Sequence, residues 1–213
     1  ADPQGNATSW LLETTEHSDV YSLLMTPGDP ATAARKSVRA VPGSTMGIVA
    51  SNQTTSDAIV MLSAVGRLKE VTDRVKALGA LCDVLIIDMP PSRNAGFLDL
   101  LRACEWIVVP TQLERHSVEG VSLIARTVQQ LRTEGAGPRL MGIVPNQADI
   151  RTLLHRTQMA ALMDAFGQAV WPAIPDTIKV PEVASVGSTL FAEYAHEPVT
   201  QKLTACIERM MEV

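Results

Sequence analysis

The chain has 213 residues, a net charge of -5 and 46% hydrophobic residues. That length suits one large α/β domain, and the acidic balance excludes a wholly basic nucleic-acid module while leaving room for a local basic patch. The three cysteines, Cys82, Cys104 and Cys206, are scattered without a CxxC pair, which argues against a disulfide framework or a cysteine-rich metal site and fits a reducing, cytosolic setting.

In chain order, residues 2–6 read as a turn-rich loop. Short helices are expected over residues 7–12 and 20–25, the second stopped by Pro27, Gly28, Asp29 and Pro30. Residues 31–39 are small and polar, with Arg35, Lys36 and Arg39 close together. A short strand over 46–50 and a polar loop over 51–56 precede a mostly helical stretch, 57–78, that Gly79 ends. In its second half Leu68, Val71, Val75 and Leu78 keep the three-four spacing of one buried face.

Residues 83–88 are the stretch around which the rest is organised. Val84, Leu85, Ile86 and Ile87 form an apolar run without alternation, ending in Asp88 and then Pro90 and Pro91. Such a run predicts a strand buried on both faces, in a parallel sheet covered by helices. Asp88 then stands at the strand's carboxyl end, where open α/β sheets bind ligands, on a loop stiffened by proline. A carboxylate placed there could hold a hydrated magnesium ion, or simply end a core strand in a turn.

Beyond it, a helix is expected over 97–103 and a strand over 106–109 before Pro110. A long helix over 117–132, capped by Ser117, is apolar at Val121, Ile124, Val128 and Leu131. A strand over 140–144 ends at Pro145 and Asn146, a helix covers 152–166, and a strand over 170–174 ends at Pro175. The last helix, 199–211, is apolar at Val199, Leu203, Ile207 and Met210. Strands alternating with helices predict right-handed crossovers, hence one domain with a mainly parallel sheet flanked by helices in three layers. His17, His116, His155 and His196 lack ligand spacing and read as solvated surface groups, and no apolar run reaches membrane-spanning length.

Several strand ends therefore carry suggestive residues on one sheet edge: Asp88, Thr111 with Gln112, Asn146 and Pro175. The stretches ADPQGNATSWLL, DVLIIDMPPS, WIVVPTQLERHSVEG, MGIVPNQADIRT and IPDTIKVPEVASVGSTLFAEYAHEPV, spread over nearly the whole chain, resemble the ParA/Soj family of partition ATPases. This is the deviant Walker A group, MinD-like in superfamily. The resemblance implies a P-loop NTPase-like α/β fold, ATP and Mg2+ as cofactors, and a homodimer formed on ATP binding. It also implies non-specific DNA binding, a centromere-binding ParB-like partner, and a cytoplasmic, nucleoid-associated location.

Residue by residue, the resemblance makes Asp2 the acid of the first switch, associated with positioning the attacking water and with dimer formation. Gly5 would let that loop approach the phosphates closely. Asp88 would be the acid that helps hold Mg2+ through water, with Met89 and Pro90 in the second switch. Asn146 would lie near the adenine, Pro175 in the loop flanking the base, and Lys179 where relatives touch DNA. Asp176 replaces a common basic residue beside it, which weakens the DNA inference.

One departure is an absence. Family members carry a KGGxGKT-type phosphate loop, whose backbone N–H groups and Lys hold the phosphates. None of the five lysines here sits in a GxxxxGK[ST] context. The expectation is a ParA-like domain lacking its first strand-loop-helix-strand unit, truncated at its N-terminus. Such a chain would hydrolyse ATP poorly and leave strand ladders exposed.

Two other readings stay open. One is a non-catalytic, truncated or degenerate relative that acts only as a protein-interaction module. The other is MinD-like positioning at a membrane, which needs a basic amphipathic tail; Lys202 and Arg209 are offset by Glu208 and Glu212 in the last helix.

Overall fold

The computed structural model describes residues 2–12, 19–67, 69–89, 95–135 and 137–212. It divides into two compact units, residues 1–103 and 104–213.

The second unit holds the parallel sheet. Strand β3 (Trp106–Gln112) pairs in parallel with β4 (Arg139–Asn146), Trp106 opposite Arg139 and Gln112 opposite Asn146. These strands need two neighbours' worth of cover, because successive residues point to opposite faces. Ile143 packs with Leu113, Val121 and Leu162, on the side of helices α7 (Ser117–Thr133) and α8 (Leu153–Phe166). Val144 packs with Trp171, Ile174, Val183, Leu190 and Val199. That second layer comes from helices α9 (Lys179–Ser185), α10 (Leu190–Glu193) and α11 (Pro198–Met211). Val109 and Val108 repeat the same division on β3. Helices thus cover both faces of this sheet, a three-layer α/β arrangement.

Several boundaries differ from the sequence expectation, each for a local reason. β3 runs through Pro110 and β4 through Pro145. Among the described residues β3 pairs on one side only, so Pro110 lacks nothing that the ladder needs. Residues 170–174 form no strand of their own but join β4 through the isolated parallel bridges Ile143 to Val170 and Ala148 to Pro175. Ser117 is not the cap of α7; His116 holds that position without a side-chain bond, and the Ser117 hydroxyl donates to the Glu114 carbonyl.

The first unit is mostly helical. Its helices are α1 (Asn6–Leu11), α2 (Asp19–Met25), α3 (Pro30–Ser37), α4 (Thr54–Ala64), α5 (Lys69–Gly79) and α6 (Ala95–Ala103). Helix α3 occupies the small, polar stretch. Asp29 caps it, accepting from the Thr32 N–H at 2.8 Å, and Pro30 opens it. The expected single helix over 57–78 is two, broken at Gly66 (φ +69°). Strands β1 (Arg39–Ala40) and β2 (Gly47–Ile48) pair antiparallel.

The buried strand expected over 83–88 is the main correction. Residues 84–89 form no regular secondary structure and belong to no ladder among the described residues. Ile87 and Met89 pack on a core of Val20, Leu24, Ala58, Leu62, Val71, Val75 and Leu100. Val84 and Ile86 are exposed, Ile86 by 81%. The segment keeps a strand's alternation with one face on helices and the other bare. A strand's burial on its second face depends on neighbours that the run itself does not contain.

Candidate functional site

The loop of residues 2–6 is fixed by contacts from far along the chain. Its turn closes through the Gly5 N–H, which donates to the Asp2 carbonyl at 3.2 Å. The Asp2 side chain accepts from the Gln4 N–H at 3.1 Å. The Ser51 hydroxyl then donates to the same Asp2 carbonyl at 2.8 Å. The Ser51 N–H donates to Thr8 Oγ1 at 3.0 Å, and both Thr8 and Ser51 are buried. Gly5 is left-handed, with φ +66°, and a Cβ there would lie 2.6 Å from the Ser51 carbonyl oxygen. Only glycine meets both conditions. Asp2 and Gly5 therefore share one rigid turn, whose anchor, Ser51, precedes α4.

Asp88 is exposed, next to Ile87 and Met89, which pack on the core of the first unit. No group of three or more His, Cys, Asp or Glu capable of holding a metal exists among the described residues. Magnesium is usually held by one or two carboxylates with waters and phosphate oxygens completing its shell. A lone exposed carboxylate fits that role and could not cage the ion by itself. A GxxxxGK[ST] segment does not occur within these 213 residues.

In the second unit, Asn146 ends β4, half-buried opposite Gln112. Gln147 follows with φ +53°, and Gln112 Nε2 donates to its side-chain carbonyl. Two residues past Asn146, the Ala148 N–H donates to Ile174 O at 2.9 Å, and the Asp176 N–H donates to Ala148 O at 3.2 Å. The Ala148 to Pro175 bridge thus sets the Asn146 turn beside the Pro175 loop. Lys179, at the start of α9, is engaged within the unit. Its Nζ lies 2.5 Å from Glu197 Oε1 and 5.0 Å from the Tyr194 ring centroid.

The turn after Asn146 carries groups that the sequence pattern did not single out. Arg151 donates twice to Asp149, at 2.8 and 2.9 Å. That guanidinium, with the Arg151 N–H, holds the Asp149 carboxyl down at about 2. The Asp149 N–H donates to His155 Nδ1 at 2.8 Å, so His155 is an acceptor inside the turn and not the solvated surface group expected of it. Nothing in the spacing of isolated histidines signals this, because the bond is set by the cap of α8, where Thr152 Oγ1 accepts from the His155 N–H at 3.2 Å. Ser51 and Thr8 were equally hidden, their partners lying more than 40 positions away in sequence.

Comparison with known proteins bears on these turns. The sequence profile of an AAA domain matches residues 1–140. The chromosome-partitioning ATPase Soj of Thermus thermophilus is 32% identical over 213 residues, covering 99% of this chain and 80% of the relative. The chain belongs to the ParA/Soj family of partition ATPases. Apo McdA of Cyanothece superposes with a TM-score of 0.84 at 21% identity, over 98% of this chain and 84% of that one. Cobyrinic acid a,c-diamide synthase of Mycobacterium smegmatis, solved with an ATP analogue and magnesium, is 27% identical with a TM-score of 0.68, over 86% of this chain and 78% of that one. No described helix is long and apolar enough to cross a membrane.

Proposed function

We propose that the protein is an ATP-driven partition motor, in which Mg2+–ATP brings two copies together and the dimer holds DNA without sequence preference until a ParB-like partner stimulates hydrolysis. The observation that carries this reading is the Asp2 turn, locked by Gly5 and Ser51 into one conformation in a chain of this family. Asp2 is the acid that orients the attacking water, and Gly5 permits its close approach. Asp88 would help hold the magnesium. Asn146 offers its side-chain amide to the adenine, and Pro175 flanks the base. Magnesium, when bound, neutralises phosphate charge; this chain contributes carboxylates alone, so residues 1–213 by themselves hydrolyse ATP poorly.

The test is a Mg2+–ATP titration of residues 1–213 beside the same chain with a KGGxGKT-type strand-loop-helix-strand unit fused ahead of Ala1. Binding and turnover gained only by the fusion support the motor. A fusion that folds and binds no nucleotide leaves the second reading, a protein-interaction module without turnover. For DNA, Lys179 must exchange Glu197 for a phosphate. Glu197→Gln then raises DNA affinity and Lys179→Gln lowers it, flattening the salt dependence by about one unit of slope. Identical affinities for both variants would remove Lys179 from the interface.

A further inference from the structure

We infer that Ser51 is the positioning residue of the Asp2 turn, acting with Thr8 as a two-point clamp. The inference rests on the reading of Asp2 as the water-orienting acid. Ser51 engages the turn and the helix that follows it through three of its atoms. Its Oγ donates to the Asp2 carbonyl at 2.8 Å, its N–H donates to Thr8 Oγ1 at 3.0 Å, and its carbonyl oxygen fills the space a Gly5 side chain would need. Thr8 lies in α1, immediately after the turn, so the clamp grips both sides of Gly5.

The arrangement has a direction. The Ala50 carbonyl accepts from the Val20 N–H at 3.0 Å, tying residue 50 to α2. On the other side, Asn52 Oδ1 accepts from the Thr54 N–H at 3.0 Å at the start of α4. Ser51 is thus held between α2 and the start of α4, whereas residues 2–5 close on their own turn and on α1, where the Ser9 N–H donates to Gly5 O at 2.9 Å. The rigid partner in this contact is Ser51, and the partner being positioned is Asp2. A carboxylate that must orient one water needs its backbone fixed to within a fraction of an ångström, since small misplacements cost large factors in rate. Ser51 supplies that fixing through its bonds to Asp2 and Thr8.

The two halves of the clamp are separable. Ser51→Ala removes the bond to the Asp2 carbonyl and keeps the N–H to Thr8. Thr8→Val removes the acceptor and keeps the hydroxyl bond. Amide exchange of the purified chain reads each half. Losing one buried hydrogen bond speeds local opening by about fivefold. Ser51→Ala should therefore accelerate exchange of the Gly5 N–H by about fivefold, Thr8→Val should accelerate that of the residue 51 N–H, and core amides of α5 should not change. Ser51→Thr, which keeps the hydroxyl, should restore the wild-type rate at Gly5. In the phosphate-loop fusion, Ser51→Ala should lower kcat about tenfold with KM for ATP within twofold, and Ser51→Thr should recover it. Unchanged Gly5 exchange in Ser51→Ala overturns the clamp, as does an acceleration spread equally over α5, which would make Ser51 a general stability residue. The Asp2 reading fails separately: the clamp would stand in exchange while Asp2→Ala left turnover of the fusion at the wild-type level.

Discussion

Replacing Gly5 with alanine should be far costlier than the same change at another left-handed glycine. Gly5 and Gly43 have φ of +66° and +70°, so the conformational penalty of adding a Cβ, about 1–2 kcal/mol, is common to both. Around Gly43 nothing lies within 4 Å of the new atom, whereas at Gly5 it would sit 2.6 Å from the backbone oxygen of Ser51. That oxygen cannot retreat without loosening the bonds from Ser51 to Asp2 and Thr8, each worth about 1 kcal/mol. The difference between Gly5→Ala and Gly43→Ala should then be about 2 kcal/mol. With a urea slope of about 2 kcal/mol per M for a unit of this size, the Gly5→Ala midpoint should fall roughly 1 M below that of Gly43→Ala. The assay is urea unfolding of the two variants and the parent, followed by circular dichroism. Coincident midpoints for the two variants would refute the close approach of the turn to Ser51.

Three further outcomes follow from the packing and charges. On α4, Leu62→Ala, at a fully buried site, should cost about 2–5 kcal/mol, while Val60→Ala, 63% exposed two residues away, should stay within about 0.5 kcal/mol; equal costs by chemical denaturation would contradict the face assignment. Gly142→Ala would place a Cβ 2.1 Å from the buried Trp171 ring and should cost about 1–3 kcal/mol, with a changed near-ultraviolet signal; an unaltered spectrum would contradict that contact. The Asp149 carboxyl should titrate at about 2, and in Arg151→Gln should move up toward the ordinary carboxylate range, as read by NMR. Because its folded value is lowered, the Asp149–Arg151 contribution is present above the unfolded value near 4 and fades as pH falls toward 2.

What the sequence made legible was what is local. The three-four spacing of α7 and the apolar runs of β3 and β4 are periodic signals, and their elements stand where the pattern puts them. The failures are non-local. An apolar run at 84–87 promises a buried strand, but burial on both faces needs neighbouring strands, and Val84 and Ile86 face outward without them. Pro110 and Pro145 read as strand stops, yet a proline is harmless where its missing N–H faces no ladder. Helix α3 escaped because its Ala-rich segment lacks an apolar stripe and is announced only by the Asp29 cap. Within the candidate site, Asp2 and Gly5 are singled out by the family resemblance of their loop, not by the turn pattern itself. Ser51 could not be, because only folding brings residue 51 to residue 2.

The most direct measurement of the central claim is ATP turnover by the phosphate-loop fusion and its Asp88→Asn and Asp2→Ala variants. The fusion should turn over ATP, Asp88→Asn should need more magnesium and show a lowered kcat, and Asp2→Ala should show a lowered kcat with near-normal KM. Turnover that survives both substitutions unchanged would contradict the claim.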